Sequence, residues 1–243
     1  MRRALIVVGK APTAGNTKTR LVPPLSPQAA AELYRGFLLD TFELADRLDW
    51  ECISLVHPRG DASRLAELLA DCRAPVQLLE QRGQGLGDAL ASAFEHHLAG
   101  GYDAAVLIGS DNPTLPREPI QLACQNLRDD ADLTVGPTPD GGYYLIGMRR
   151  PHLEVFEGIQ WSTPHVYAQT LERARASGLR IHQVAEWYDV DAPDDLDRLC
   201  AELDDGPATL AHHTRSVLER LRWTSAWAPA GSAAHPSAQH TRV

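Results

Sequence analysis

Short apolar runs alternate along the chain with segments whose apolar residues recur at helical spacing, and this alternation limits it to a sheet covered by helices on both faces. Residues 4–8, 52–56, 76–79 and 104–108 read as strands. The first and last of these are continuously apolar, as strands buried on both faces are. Ser26-Pro27 supplies an N-cap and a first-turn proline, after which Leu33, Phe37, Leu38, Phe42, Leu44 and Ala45 recur at helical spacing. Residues 62–70, 86–98 and 118–127 read as further helices, and 132–135 as a strand. Strand–helix repeats imply right-handed crossovers and parallel pairing. The pattern then changes. Residues 143–148 form a strand reached through Asp140-Gly141-Gly142, with no crossover helix before it. A helix at 164–176, a strand at 180–184 and helices at 193–203 and 208–221 complete the expected order, the helix from 193 being capped by Asp191 or a neighbour. The expected architecture is a three-layer α/β sandwich around a mostly parallel, mixed sheet, formed by a single domain over residues 1–221. From residue 222 the composition turns to Ala, Pro, Ser and His, which predicts a disordered tail at 222–243 unless Trp223 and Trp227 pack back.

Charge narrows the partners. At a formal charge of −9, the chain is not a general nucleic-acid binder. An anionic small substrate would need a local basic pocket. No apolar run is long enough to span a membrane. Met1-Arg2-Arg3 and the run that follows mimic a signal peptide, but the run is short and meets Lys10, so it reads as the first strand of a cytoplasmic protein. The cysteines Cys52, Cys72, Cys124 and Cys200 are far apart, which predicts reduced, mostly buried thiols. His96-His97 and His212-His213 are adjacent pairs. Neighbouring helical residues do not share a face, so both pairs read as solvated surface and not as metal ligands.

The basic pocket has a candidate. The first strand leads into Gly9-Lys10-Ala11-Pro12-Thr13-Ala14-Gly15-Asn16-Thr17-Lys18-Thr19-Arg20-Leu21, which carries three cations and no carboxylate. Such a loop brings backbone N–H groups and Lys18 to an anion without opposing charge. It is not a P-loop, since Asn16 follows Gly15 and Lys18 comes two residues late. A second loop, Gln81 to Gly87, follows a strand and opens a helix; Gly85 and Gly87 would let backbone lie against a base or phosphate, and Gln84 could read a base edge. Packing alone would also explain those glycines. At the end of the strand at 104–108 stands Ser110-Asp111-Asn112-Pro113, where Asp111 is placed to bind Mg²⁺ (or Mn²⁺) on nucleotide phosphates, or else forms a turn before the proline. Asp140, Gly141, Gly142 and Tyr143 form either a substrate-binding rim or an ordinary hairpin turn. Trp161 either closes over that rim or belongs to the core. Asp189 and Asp191 alternate in an extended segment, so one could cap the next helix while the other binds metal.

Taken together, the cationic loop, Gln84/Gly85/Leu86/Gly87, Ser110-Asp111-x-Pro113, Asp140-Gly141-Gly142-Tyr143 and Asp189-Val190-Asp191 resemble the GT-A-fold nucleotide-diphospho-sugar transferase superfamily. In particular they resemble its bacterial branch defined by a domain of unknown function and labelled as arsenosugar-biosynthesis-type glycosyltransferases. Lys18-Thr19-Arg20-Leu21 with Asp111 and Asp191 is also similar to molybdenum-cofactor and phospholactate guanylyltransferases. The resemblance spans residues 2–203. It implies a Rossmann-like sheet with nucleotide (an NTP or an NDP-sugar) across its first half and a small-molecule acceptor across its second. Lys10, Gly15, Lys18, Arg20, Gln84, Gly85 and Gly87 are the expected nucleotide contacts, Asp111, Asp189 and Asp191 the expected metal ligands, and Lys18, Asp111 and Asp140 the expected catalytic groups. Many glycosyltransferases of this fold use Asp-x-Asp, whereas this chain has Ser110-Asp111-Asn112. A lone Asp111 paired with a distant Asp191 favours nucleotidyl transfer with pyrophosphate release over glycosyl transfer. A catalytically silent nucleotide-binding module fits the carboxylates and cations less well. Neither the base, the acceptor nor the oligomeric state is legible.

Overall fold

The computed structural model describes residues 1–223. Seven strands form one sheet in the order β3-β2-β1-β4-β6-β5-β7. They are β1 (Arg3–Val8), β2 (Cys52–His57), β3 (Val76–Glu80), β4 (Ala104–Gly109), β5 (Leu133–Pro137), β6 (Tyr143–Met148) and β7 (Ile181–Gln183). β1 pairs in parallel with both β2 and β4, β2 with β3, and β5 with β7. Only β6 runs against its neighbours, pairing antiparallel with β4 on one side and β5 on the other. The Asp140-Gly141-Gly142 turn therefore closes a hairpin that inserts β6 into an otherwise parallel sheet.

Side-chain alternation in the central strands sends successive residues to opposite faces. Leu5, Val7, Val106 and Ile108 join one core cluster, and Ala4, Ile6, Ala105 and Leu107 join the other. The first cluster takes the apolar faces of α1 (Pro27–Asp46), α2 (Ala62–Leu68), α4 (Arg117–Asp129), α6 (Pro193–Asp205) and α7 (His212–Leu221). The second takes α3 (Leu86–Ala99) and α5 (Val166–Ala176). This is the expected three-layer arrangement. The 20-residue α1 starts as its sequence dictates: Ser26 Oγ accepts the Ala29 N–H at 3.1 Å and Pro27 occupies the first turn. Helices α5 and α7 begin later than their patterns suggested, at Val166 and His212. The four thiols are free; Cys124 and Cys200 are buried, Cys52 and Cys72 half-buried. No described helix is long and apolar enough to cross a membrane.

Each histidine pair is only in part the solvated surface its spacing suggested: His96 and His212 are exposed, His97 is buried and His213 half-buried. His97 is 1% exposed and pairs with Ser54 Oγ at 2.8 Å, while His96 stays at the surface. His212 and His213 begin α7, and their ring centroids lie 3.8 Å apart. Adjacent helical positions differ in direction, but two rings can still touch across them, as the His96 and His97 rings do at 5.1 Å. The tail expectation also shifts. Trp223 packs against the first core cluster, and residues 224–243, Trp227 among them, lie outside the described residues.

The buried His97 carries a testable consequence. Burial, with His96 adding to it, pushes its pKa down from 6.5 to about 4. The unfolded chain then binds a proton that the folded chain refuses between those values. Stability from this group is complete above about pH 6.5 and declines as the pH falls toward 4. Denaturant midpoints measured across that window should fall with acidification in the wild type. His97→Gln should lose about one proton's worth of that slope, and an unchanged slope would exclude the assignment.

Candidate active site

β1 lies between β2 and β4, and the chain turns to opposite sides of it. Ligands of open α/β sheets bind at such a switch point, beyond the carboxyl ends of the strands. Here the β1 loop and the end of β4 meet. Lys18 is the centre of the meeting. Its backbone is left-handed (φ 49°, ψ 43°), just before a single 3₁₀ turn at Thr19–Leu21. For a residue with a Cβ this conformation costs about 1–3 kcal/mol and persists only where its surroundings impose it. The Lys18 side chain is 4% exposed, and its Nζ lies 2.6 Å from Asp111 Oδ1 and 2.8 Å from Asp191 Oδ1. The Tyr34 and Phe37 rings flank the ammonium at 5.8 and 5.6 Å. Burial alone would lower the Lys18 pKa, but the two carboxylates outweigh it and hold the ammonium charged.

The carboxylates come from two strand ends. Asp111 follows β4, and its carbonyl accepts the Val190 N–H at 2.9 Å, which ties the Asp189–Asp191 segment to the β4 end. Asp191 faces Lys18, whereas Asp189 hydrogen-bonds Asn112 Nδ2. Burial first, and then Asp111 and Asp191, push the Asp189 carboxyl up to about 7. Three carboxylates thus converge around one buried cation. The cap of α6 falls to neither Asp189 nor Asp191. Asp195 Oδ2 accepts the N–H groups of Asp191 and Ala192 at 3.0 and 2.8 Å, which leaves both earlier carboxylates for the site.

The loop itself is held from outside. Asp61, at the start of α2, accepts the Ala11 N–H at 2.7 Å and pairs with Arg64, which also reaches Thr13 Oγ1 at 2.8 Å. Tyr34 from α1 accepts the Lys10 N–H at 3.2 Å and lies 2.7 Å from Ser110 Oγ, which donates to the Val8 carbonyl. Because the one Ser110 hydroxyl proton goes to the Val8 carbonyl, Tyr34 donates to Ser110. Sequence reasoning passed over Tyr34 and Asp61. A tyrosine one turn before Phe37 on an apolar face was the only signal for the first, and nothing local pointed to the second.

Two adjoining cavities open here. One of 360 Å³ is lined by Gly9, Lys10, Lys18, Arg20, Gln81, Asp111 and Asp191. The other, of 480 Å³, is lined by Leu86, Asp140, Gly142, Tyr143, Trp161 and Asp189. Arg20, Asp111 and Asp191 line both. The structure therefore brings together Lys10, Lys18, Arg20, Asp111, Asp189 and Asp191, with Asp140, Gly142, Tyr143 and Trp161 on the second rim. Gly15 sits at the exposed loop tip, away from the walls of both cavities. Gln84, Gly85 and Gly87 line neither of them. Gly87 instead makes room for Trp161, whose Nε1 would lie 2.7 Å from a Cβ there. Trp161 is both core and rim, since its ring is tilted against Phe156 at 6.4 Å. Asp140 is likewise double: Oδ1 accepts Thr138 Oγ1 at 2.5 Å and the Gly142 N–H at 3.1 Å, as a hairpin turn requires. Gly141 (φ +87°) lies so close to Pro164 that a Cβ would meet its carbonyl oxygen at 2.1 Å, which fixes the hairpin tip against the Trp161 loop.

The sheet order and the carboxylates at its switch point define a protein of the nucleotide-diphospho-sugar transferase fold class. A solved structure from Desulfovibrio desulfuricans G20, described as a candidate nucleotide-diphospho-sugar transferase, shares that architecture at a TM-score of 0.81 and 32% identity, over 91% of this chain and 98% of that one. Residues 41–163 match the family described as "Uncharacterized protein conserved in bacteria (DUF2064)", and the chain belongs to that family. It is also 26% identical to the 2-phospho-L-lactate guanylyltransferase of Methanothermobacter thermautotrophicus, over 86% of this chain and 87% of that protein. The 4-diphosphocytidyl-2C-methyl-D-erythritol synthase of Anaerococcus prevotii DSM 20548 shares the fold at a TM-score of 0.57 and 11% identity, over 84% of this chain and 98% of that one.

Proposed function

We propose that this transferase moves a nucleotidyl group from an NTP to a small anionic acceptor, with Mg²⁺ and with release of pyrophosphate, in the cytoplasm. The observation that carries the reading is the convergence of Asp111 and Asp191 on one cation beside a cationic loop. Their side chains are 38% and 39% exposed, so both can reach a ligand and water. Two hard carboxylate oxygens that already share a cation suit Mg²⁺, which takes one or two carboxylates and fills its remaining positions with water and phosphate oxygens. Asp111 and Asp191 would hold the ion, with Asp189 behind them. Bound there, it supplies charge stabilisation to the phosphates.

The first cavity suits the triphosphate, with Lys10, Lys18 and Arg20 on its wall. The second suits the acceptor, and Arg20 at their junction can contact both. An acceptor oxygen attacks the α-phosphorus in line, the new P–O bond forms, and the bond to the β-phosphate bridging oxygen breaks. Positioning and charge stabilisation carry such transfers, so no covalent nucleophile is required. The similarity to a guanylyltransferase supports the reading. One feature favours glycosyl transfer from an NDP-sugar as the second reading. The Asp140 turn uses Oδ1, which leaves Oδ2 at the rim of the larger cavity as a general base for a sugar acceptor.

A thermal-shift screen with Mg²⁺ against NTPs and NDP-sugars tests the first step. A ligand present at 100 times its Kd should stabilise the fold by about 2.7 kcal/mol. NTPs should shift the transition and NDP-sugars should not; the reverse would transfer the proposal to the second reading.

A further inference from the structure

We propose a second metal site, for Zn²⁺, at the junction of α1 and α7, built from Asp40, Glu43, His212 and His213. This site is independent of the reaction assigned to the cavities. Asp40 and Glu43 are three residues apart on α1 and so share its face toward α7. The two helices approach closely because residue 36 is glycine: a Cβ there would meet the Thr214 Cα at 3.0 Å. That approach lowers the first turn of α7 onto the two carboxylates. One donor atom from each of the four side chains lies within 4.8 Å of the others.

The carboxylates keep acceptor capacity beyond their present bonds, and both imidazoles stand beside them. The Asp40 side chain is 2% exposed, and its two oxygens accept the N–H groups of His213 and Thr214 at 3.0 and 2.8 Å. A carboxylate has about four lone-pair sites, so capping α7 uses only half of them. His212 Nδ1 lies 2.8 Å from Glu43 Oε2 and 4.0 Å from Asp40 Oδ1, which places an imidazole nitrogen between two carboxylates. The His213 ring packs against that imidazole. Glu43 Oε1 pairs with Arg47, leaving Oε2 on the site side.

The donor set selects the metal. Two imidazole nitrogens with two carboxylate oxygens suit Zn²⁺, while Mg²⁺ and Ca²⁺ prefer all-oxygen sites. Tetrahedral ligands at roughly 2.0 Å place donors about 3.3 Å apart. His212 Nδ1 is already 2.8 Å from Glu43 Oε2, and closing the set from a spread within 4.8 Å calls for side-chain rotation around the buried Asp40, with Glu43 half-exposed and His212 exposed. A bound ion would fasten α7 to α1, the helix that also carries Tyr34 and Phe37 under Lys18.

The test titrates the tag-free full chain with Zn²⁺ alone by calorimetry, and with Co²⁺ by visible absorption. The wild type should bind Zn²⁺ at this site, show tetrahedral Co²⁺ bands and melt at a higher temperature with Zn²⁺. His212→Ala/His213→Ala retains the backbone donors that Asp40 caps. It should weaken this binding at least about tenfold and lose the Co²⁺ bands. Glu43→Gln should weaken it too, which guards against a folding defect in the double variant. Asp111→Asn/Asp191→Asn should keep the site, which separates it from any metal held at the cavities. The proposal is overturned if the wild type binds neither ion, or if the histidine variant binds both as before.

Discussion

Asp111→Asn is expected to lower metal-dependent turnover on the order of 10³-fold while the melting temperature moves little. The two effects separate because of where Asp111 sits. Its side chain is 38% exposed, and asparagine keeps its shape, so the fold loses little. The carbonyl that anchors Val190 belongs to the backbone and survives the substitution. Lys18 retains Asp191 as a partner at 2.8 Å and stays buried without becoming an unpaired charge. The variant does lose one of the two carboxylates that reach a shared cation, together with the charge that would attract a metal–nucleotide complex. A Mg²⁺ titration of turnover should show a lower plateau and a higher metal requirement, with far-UV spectra and thermal unfolding as controls. Wild-type turnover at every Mg²⁺ concentration would remove Asp111 from the metal site and leave its role as the turn before Pro113.

The elements of this fold that were legible from sequence are those whose signal is local. Apolar runs reported β1 and β4 because strands buried on both faces carry no polar residues. Ser26-Pro27 reported the start of α1 because a cap and its proline lie side by side. Asp111 was legible because a carboxylate directly after a buried strand has few purposes. The residues that went unread act across long separations. Asp61 holds the Ala11 amide from 50 residues away, and a carboxylate in a helix start carries no mark of that. His97 pairs with Ser54 across 43 residues, and nothing in His96-His97 says which ring turns inward. The cap of α6 stays open in the sequence for the opposite reason: Asp189, Asp191, Asp194 and Asp195 crowd one stretch, and only coordinates show that Asp195 folds back. The glycines of the Gln81–Gly87 loop fit either room for a ligand or packing, and the sequence does not choose. At Gly87 the room is taken by Trp161, a contact that spacing along the chain does not encode.

Lys18→Met tests the site more severely. Methionine fills the slot between Tyr34 and Phe37 without charge, and Asp111, Asp189 and Asp191 are then left with no cation among them. Burial and those like charges already push Asp189 up to about 7, and Lys18 opposes that rise. Without the ammonium, the cluster should accept a proton more readily and the loop should lose the ties that hold Lys18 in its left-handed conformation. Turnover should fall on the order of 10²–10³-fold, and nucleotide affinity should fall with it, because the ammonium contacts charge in both the bound state and the transition state. The drop in kcat tests whether the ammonium acts on the leaving group, and does not by itself choose between the two chemistries. A triphosphate donor sheds pyrophosphate, whose developing charge needs a cation in the transition state, so kcat should drop along with affinity. Ion-exchange analysis of wild-type products then decides the reaction directly. Pyrophosphate from an NTP in the presence of a phosphorylated acceptor supports nucleotidyl transfer. A nucleoside diphosphate together with a glycosylated acceptor, and no pyrophosphate from any NTP, would replace it with glycosyl transfer. The cationic loop and the carboxylate pair would serve that reaction equally, since a diphosphate leaving group needs the same neutralisation from the same side chains.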